Sequence, residues 1–304
     1  EEMDDNLESY SETIIVRMLS HQELPPLNSG SNNSYSIKPV DPHYAAMHDG
    51  ITYSDVEVYI PEREEYDAII KAGKGDIARW SLAPELEGAA EMATTLRNEG
   101  ILMAMGHTGA TFEECQRAFD AGFTHLTHFY SCMSTITRRN AYRYAGVIEY
   151  GYFNDDITIE IIGDGIHVPQ SLLNLVYKIK GAERIALITD SMRAAGMPDG
   201  KYMLGSLEQG QEVVVEDGVA KLLDRSAFAG SVATMDRVVR TVQQLTKRPM
   251  PEIVRSATET PAKIMGIADK KGAIEVGYDA DIVIFDDAIN IQSTIVNGQI
   301  VYNI

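Results

Sequence analysis

His107 and His128 each stand where a short apolar run gives way to small or polar residues. The runs are Ile101-Leu-Met-Ala-Met-Gly-His107-Thr108 and Phe123-Thr-His-Leu-Thr-His128, with a helical pattern over Thr111 to Ala121 between them. A strand, a helix and a second strand, each strand ending in an imidazole, is how one face of an α/β barrel can offer two nitrogen ligands to one metal ion. Glu85, Asp164 and Asp190 fall at the same kind of position. Taken alone, each histidine reads as readily as a structural residue, and an aspartate after a strand as a helix cap. Together, five such groups at the carboxyl ends of strands point to a site, because that face of a parallel barrel is where sites are built. Asp190 closes the run Ile185-Ala-Leu-Ile-Thr-Asp190 and is the candidate general base beside a metal-activated water, whose pKa falls towards about 7. His125 lies three residues before His128, need not share its face of a strand, and reads as structural. His43 and His48 have no strand-end context and read as surface residues.

The elements that must position these groups are legible as apolar runs. Thr13–Ser20, Ile77–Glu85, Gly100–His107, Phe123–His128, Ile157–Asp164 and Arg184–Asp190 are β-rich and continuous rather than alternating, as strands buried on both faces of a parallel sheet are. Helical patterns occupy Glu62–Ala72, Glu87–Glu99, Thr111–Ala121 and Pro169–Ile179, and Gly100, Gly122 and Gly181 follow three of them as stop signals. Repeated β-α units of this kind read as an α/β fold. After Asp190 the pattern changes. Glu212–Glu216 and Val219–Leu223 flank Asp217-Gly218 as a hairpin, helices are expected at Met235–Thr246 and Pro251–Met265, and the tail from Gly272 reads as small antiparallel strands. Asn28–Ser36 is a polar loop.

Composition narrows the function classes. The 304 residues carry a net charge of −19, which argues against nucleic-acid and anionic-membrane partners. No run of apolar residues is long enough to span a bilayer, and the acidic start lacks the regions of a signal peptide. The two cysteines, Cys115 and Cys132, form no C-x-x-C pair, so a disulfide framework is not expected and a cytoplasmic location is.

Leu82-Ala-Pro-Glu85, Gly106-His107-Thr108-Gly-Ala-Thr111, Thr127-His128-Phe-Tyr130, Asp164-Gly-Ile-His167-Val168, Thr189-Asp190 and Ala229-Gly-Ser231 follow one another in order, and the tail runs from Gly272 to Val296-Asn-Gly298. This set resembles the N-acetylglucosamine-6-phosphate deacetylases of the amidohydrolase superfamily. The resemblance implies a TIM-type (β/α)8 barrel and hydrolysis of the acetamide of an N-acetylated amino-sugar phosphate, with N-acetylglucosamine 6-phosphate as the default substrate. It implies one divalent metal, zinc first, with iron, manganese or cobalt as alternatives. Its ligands would be Glu23, His107 and His128, leaving an open position for water. Asp190 would be the base and His167 the histidine that contacts the sugar phosphate. Phosphate binding would fall to the segment Tyr130-Ser131-Cys132-Met133, here with Ser131 and Cys132, and to Arg139, with Arg138 and Arg143 close by. A homodimer follows from an arginine that such enzymes can share between subunits.

The match changes character towards the N-terminus. Glu23 sits in His21-Gln-Glu23-Leu-Pro25, where Leu24 replaces the glycine of the resembled segment. Counting strands with the resemblance as guide gives numbers three to eight, and six parallel strands do not close an eight-stranded barrel. The expectation is therefore a barrel without its first strands in this sequence, over residues 1–268, and a small β-sandwich portion over 269–304. Two other readings remain open: a different amidohydrolase reaction, such as cyclic-amide hydrolysis or deamination, and a non-catalytic homologue that binds a sugar phosphate.

Overall fold

The computed structural model describes residues 63–205 and 210–304, and the chain divides into two compact units between Asp156 and Ile157. The strand expected at Thr13–Ser20, the loop Asn28–Ser36, Glu23, His43 and His48 lie outside the described residues.

In the first unit α1 (Arg63–Gly73) precedes three parallel strands, β1 (Arg79–Leu82), β2 (Leu102–Met105) and β3 (Phe123–Leu126). They are joined by α2 (Ala89–Asn98) and α3 (Phe112–Ala121). Trp80 pairs with Met103 and Met105 with Leu126, with a register shift between Met103 and Ala104. Met103, Ala104 and Met105 of β2 are all buried, which is why that run is apolar without alternation, and Phe123 and Leu126 of β3 are buried as well. α3 starts where its sequence says it should. Thr111 Oγ1 accepts from the Glu114 amide at 3.3 Å while the Thr111 amide donates to Glu114 Oε2 at 2.8 Å, a reciprocal capping box. It ends at Gly122, whose φ of 118° favours glycine and whose amide bonds back to Ala118 and Phe119.

Three elements of this unit are absent from the sequence reading. A hairpin of β4 (Thr137–Arg139) and β5 (Tyr142–Tyr144) turns at Asn140 and Ala141, with φ of 49° and 70°. Such a two-residue turn needs positive φ twice and usually advertises itself with glycine; an alanine in that place hides it. The short α4 (Val147–Phe153) follows, held to the end of β3. A Cβ on its Gly151 would lie 2.6 Å from the Phe129 ring and 2.7 Å from Leu126.

The second unit opens with β6 (Thr158–Ile162), α5 (Gln170–Lys180) and β7 (Ile185–Ile188), another parallel β-α-β step with Ile159 opposite Ile185. All four residues of β7 are buried. β8 (Gly200–Leu204), β9 (Gln211–Glu216) and β10 (Val219–Leu222) form an antiparallel sheet. Its β9–β10 turn is the expected Asp217-Gly218, at φ 56° and 76°. β8 was not anticipated. α6 (Met235–Thr246) has the predicted bounds, but the single helix expected over Pro251–Met265 is two, α7 (Met250–Ala257) and α8 (Glu259–Ile264). Pro261 explains the break: its ring would clash with the carbonyl four residues back, at Ala257, and it has no N–H to give. The tail forms the expected antiparallel sheet of β11 (Ile282–Phe285), β12 (Ile291–Val296) and β13 (Gln299–Asn303). Among the described residues no helix is long and apolar enough to cross a membrane.

β6 passes into Gly163, where α6 presses on the chain. A Cβ there would lie 2.6 Å from Val238 Cγ1 and 2.8 Å from Val242 Cγ2. Gly163→Ala is expected to destabilise the protein by about 1–3 kcal/mol through this overpacking. Urea unfolding followed by circular dichroism measures it, and an unchanged midpoint would contradict the packing described.

Candidate active site at the ends of the parallel strands

β2 ends at Met105, and two residues later His107 turns back with φ 48°. β3 ends at Leu126, and His128 follows Thr127 with φ 31°. Adjacent parallel strands lie about 4.8 Å apart, so groups leaving neighbouring ends can meet. They do: the Nε2 atoms of His107 and His128 are 2.9 Å apart, with ring centroids at 4.6 Å and planes at 76°. At that distance either one ring donates its Nε2–H to the other's lone pair, or both lone pairs face a shared cation. Two nitrogens on one tetrahedral zinc, each at about 2.0–2.1 Å, lie about 3.3–3.4 Å apart, so the pair needs to open by only about half an ångström. The donor set, two imidazoles, is one that zinc, iron and related divalent ions accept. Among the described residues no third histidine, cysteine or carboxylate completes a cluster around the pair. Glu23, the third ligand implied by resemblance, is outside the described residues.

The loops behind the two histidines hold each other. The Thr108 amide donates to the Cys132 carbonyl at 2.9 Å, and the Ser134 amide donates to the Thr108 carbonyl at 3.1 Å. Ser134 Oγ donates to the Ala110 carbonyl at 2.5 Å, and the Ser131 amide donates to the His128 carbonyl at 2.9 Å. His128, Tyr130 and Cys132 all have positive φ, at 31°, 83° and 50°. Non-glycine residues in that region cost about 1–3 kcal/mol each and persist only where surrounding bonds dictate them. Close approach matters too, since a Cβ on Gly106 would stand 2.9 Å from Thr127 Cβ. Arg79 and Ser81 on β1 both hydrogen-bond Thr127 Oγ1, at 2.7 Å each.

Glu85, just past β1, sends its carboxylate to this loop and not to the imidazoles. Oε2 accepts from Thr108 Oγ1 at 2.5 Å and Oε1 from the Gly109 amide at 2.8 Å. Burial raises its pKa above the ordinary glutamate value, against the lowering effect of those bonds. The sequence marked Glu85 as a strand-end carboxylate but carried no sign of these partners. Of the implied phosphate-binding residues, Ser131 and Cys132 lie in the strained turn, and Cys132 is exposed. Arg139 ends β4 with its guanidinium 5.5 Å from the Tyr144 ring centroid. His125 is buried within β3, opposite Ala104, as a structural histidine would be.

In the second unit, His167 and Asp164 form a close pair. His167 Nδ1 is 2.7 Å from Asp164 Oδ2, with side chains 5% and 0% exposed. Asp164 Oδ1 also accepts from the Ile166 and His167 amides, both at 2.9 Å. Burial alone would raise the Asp164 pKa; the bonds from His167 and the two amides outweigh it and hold the carboxyl below its usual range. An ionised Asp164 fixes His167 with its proton on Nδ1 and leaves Nε2 for another partner. The Asp-x-x-His spacing after a strand was the sequence signal for this pair. The Phe228 ring lies against His167, centroids 4.7 Å apart. Asp190, two residues beyond β7, has φ 49°, and its carbonyl accepts from the Ser231 amide at 2.8 Å. The Met192 amide returns a bond to the Ser231 carbonyl at 2.9 Å, so the Ala229-Gly-Ser231 segment lines up beside Asp190.

Comparison with known proteins gives the family. The amidohydrolase family model matches residues 38–301, and a domain of unknown function matches residues 1–69. An N-acetylglucosamine-6-phosphate deacetylase of Bacillus subtilis is 36% identical over 249 residues, covering 82% of this chain and 59% of the relative. An N-acetylgalactosamine-6-phosphate deacetylase of Escherichia coli O157:H7 is 33% identical, covering 79% and 61%. The solved structure of a substituted N-acetyl-D-glucosamine-6-phosphate deacetylase from Mycobacterium smegmatis, in complex with N-acetyl-D-glucosamine 6-phosphate, superposes with a TM-score of 0.73 at 32% identity. That match covers 79% of this chain and 61% of the other. The chain thus spans about three-fifths of the length of these relatives. The fold is the (β/α)8-barrel type, with antiparallel strands added by the tail. Sequence, fold and the facing imidazole pair lead to one assignment: the chain belongs to the amidohydrolase family.

Proposed function

We propose that the protein hydrolyses the acetamide of an N-acetylated amino-sugar phosphate, N-acetylglucosamine 6-phosphate first, giving acetate and the free amino sugar. The observation that carries this reading is the His107–His128 pair, at 2.9 Å, at neighbouring strand ends of a chain similar to deacetylases. The similarity to an N-acetylgalactosamine-6-phosphate deacetylase makes the galacto epimer the second substrate to assay.

His107, His128 and Glu23 are the proposed ligands of one divalent metal, zinc by preference. Such an ion supplies Lewis acidity to the amide carbonyl and lowers the pKa of water. Asp190 is the proposed carboxylate that takes a proton from the attacking water and returns it to the departing amine. His167, oriented by Asp164, presents Nε2 to the sugar phosphate, and Ser131, Cys132 and Arg139 belong to the same recognition. Residues 1–268 are assigned to the hydrolase barrel and 269–304 to a sandwich portion. The proposed setting is a homodimer in the cytoplasm.

Acetate release from N-acetylglucosamine 6-phosphate, coupled to a dehydrogenase readout, tests the reaction. Asp190→Asn is expected to lower kcat by a factor of about 10² or more, since an amide takes up no proton at neutral pH; activity unchanged in this variant would refute the assigned base. Asp164→Asn places an N–H against His167 Nδ1 and favours the other tautomer. Its expected effect is a KM raised about tenfold or more with a smaller change in kcat. A loss confined to kcat would show that His167 does not serve substrate binding.

A further inference from the structure

Glu85 has no part in the chemistry above, yet it sits where it controls the geometry of that chemistry. Its two carboxylate oxygens divide between adjacent donors of one loop, Thr108 Oγ1 at 2.5 Å and the Gly109 amide at 2.8 Å. Thr108 is fully buried and every polar group on it is used. Its hydroxyl gives its proton to Glu85 and accepts from the Ala110 amide at 3.0 Å, its amide reaches Cys132, and its carbonyl takes the Ser134 amide. One carboxylate from the end of β1 thus fastens the residue next to His107, and that residue fastens the segment that follows His128. His107 itself has φ 48°, a conformation that needs outside restraint. A carboxylate that served only as a solvated loop group would gain nothing from two protein donors that water could replace.

We infer that Glu85 is a positioning residue: through Thr108 and Gly109 it holds the His107 ring in register with His128 for a shared divalent cation, without ligating that cation itself. The inference rests on the metal reading of the histidine pair. Groups that orient metal-binding histidines typically change metal affinity 10–100-fold when removed. The chain's own bonding pattern separates three variants. Glu85→Ala removes both acceptors. Glu85→Gln keeps one acceptor for Gly109 but turns an N–H towards the Thr108 hydroxyl, leaving that hydroxyl's proton without its partner. Thr108→Val removes the hydroxyl and leaves Glu85 in place.

The experiment is zinc affinity of the full chain by competition with a chromophoric chelator, alongside thermal unfolding of the metal-free protein. Expected are a Kd raised about 10–100-fold in Glu85→Ala, a smaller rise in Glu85→Gln and a rise in Thr108→Val, in each case larger than the change in metal-free stability accounts for. If Glu85→Ala does not fold, Thr108→Val carries the same comparison. Variants that bind zinc within threefold of the unsubstituted protein would overturn the inference while leaving the metal reading intact. An unsubstituted protein that takes up no zinc would overturn both.

Discussion

Two imidazole nitrogens 2.9 Å apart are the constraint around which the first unit is organised. Neutral rings can share one hydrogen bond at that distance, and two charged ones would repel. The protein holds them there by a parallel register that sets two strand ends side by side, a glycine at position 106 that admits Thr127, and loops after the histidines that bond to one another. Left-handed φ values at both histidines aim the side chains inward at a cost that the cross-bonded loops offset. The same device recurs in the second unit, where Asp190 is also left-handed and is steadied by Ser231.

Charge is arranged locally rather than by the total. The chain as a whole is strongly acidic, at −19, yet the arginines of the β4–β5 hairpin are concentrated together, with Arg138 facing Arg143 across the pair. Asp164 is buried but ionised because His167 and two amides satisfy it. At Glu85 burial outweighs the bonds from Thr108 and Gly109, and its pKa rises instead. Two carboxylates after two strands therefore shift their pKa in opposite directions, set by burial and by what donates to them.

Local signals carried much of the fold. Strands β2 and β7 were visible as unbroken apolar runs, β3 and β6 as β-rich runs ending in polar residues, α3 through its helical pattern and the stop at Gly122, and the β9–β10 turn through Asp-Gly. What stayed hidden had a physical reason in each case. The β4–β5 turn uses Asn140-Ala141 where glycine would have announced it, and the helical pattern over Pro251–Met265 runs through Pro261, whose ring would clash with the Ala257 carbonyl. The histidines and Asp190 were legible because they end strands. The clamp of Glu85 on Thr108 was not, since it joins residues 23 apart through side-chain geometry that no periodicity encodes. Family resemblance supplied roles for Glu23 and Arg139 that the residues alone would have left as solvated charges.

The central claim is that His107 and His128 bind one cation together, and X-ray absorption at the zinc edge of the loaded protein addresses it most directly. Imidazole scattering from two nitrogens at about 2.0–2.1 Å is expected, reduced by one ring in His107→Ala and by one in His128→Ala. Zinc bound with no imidazole in its coordination sphere, or a spectrum indifferent to both substitutions, would contradict it.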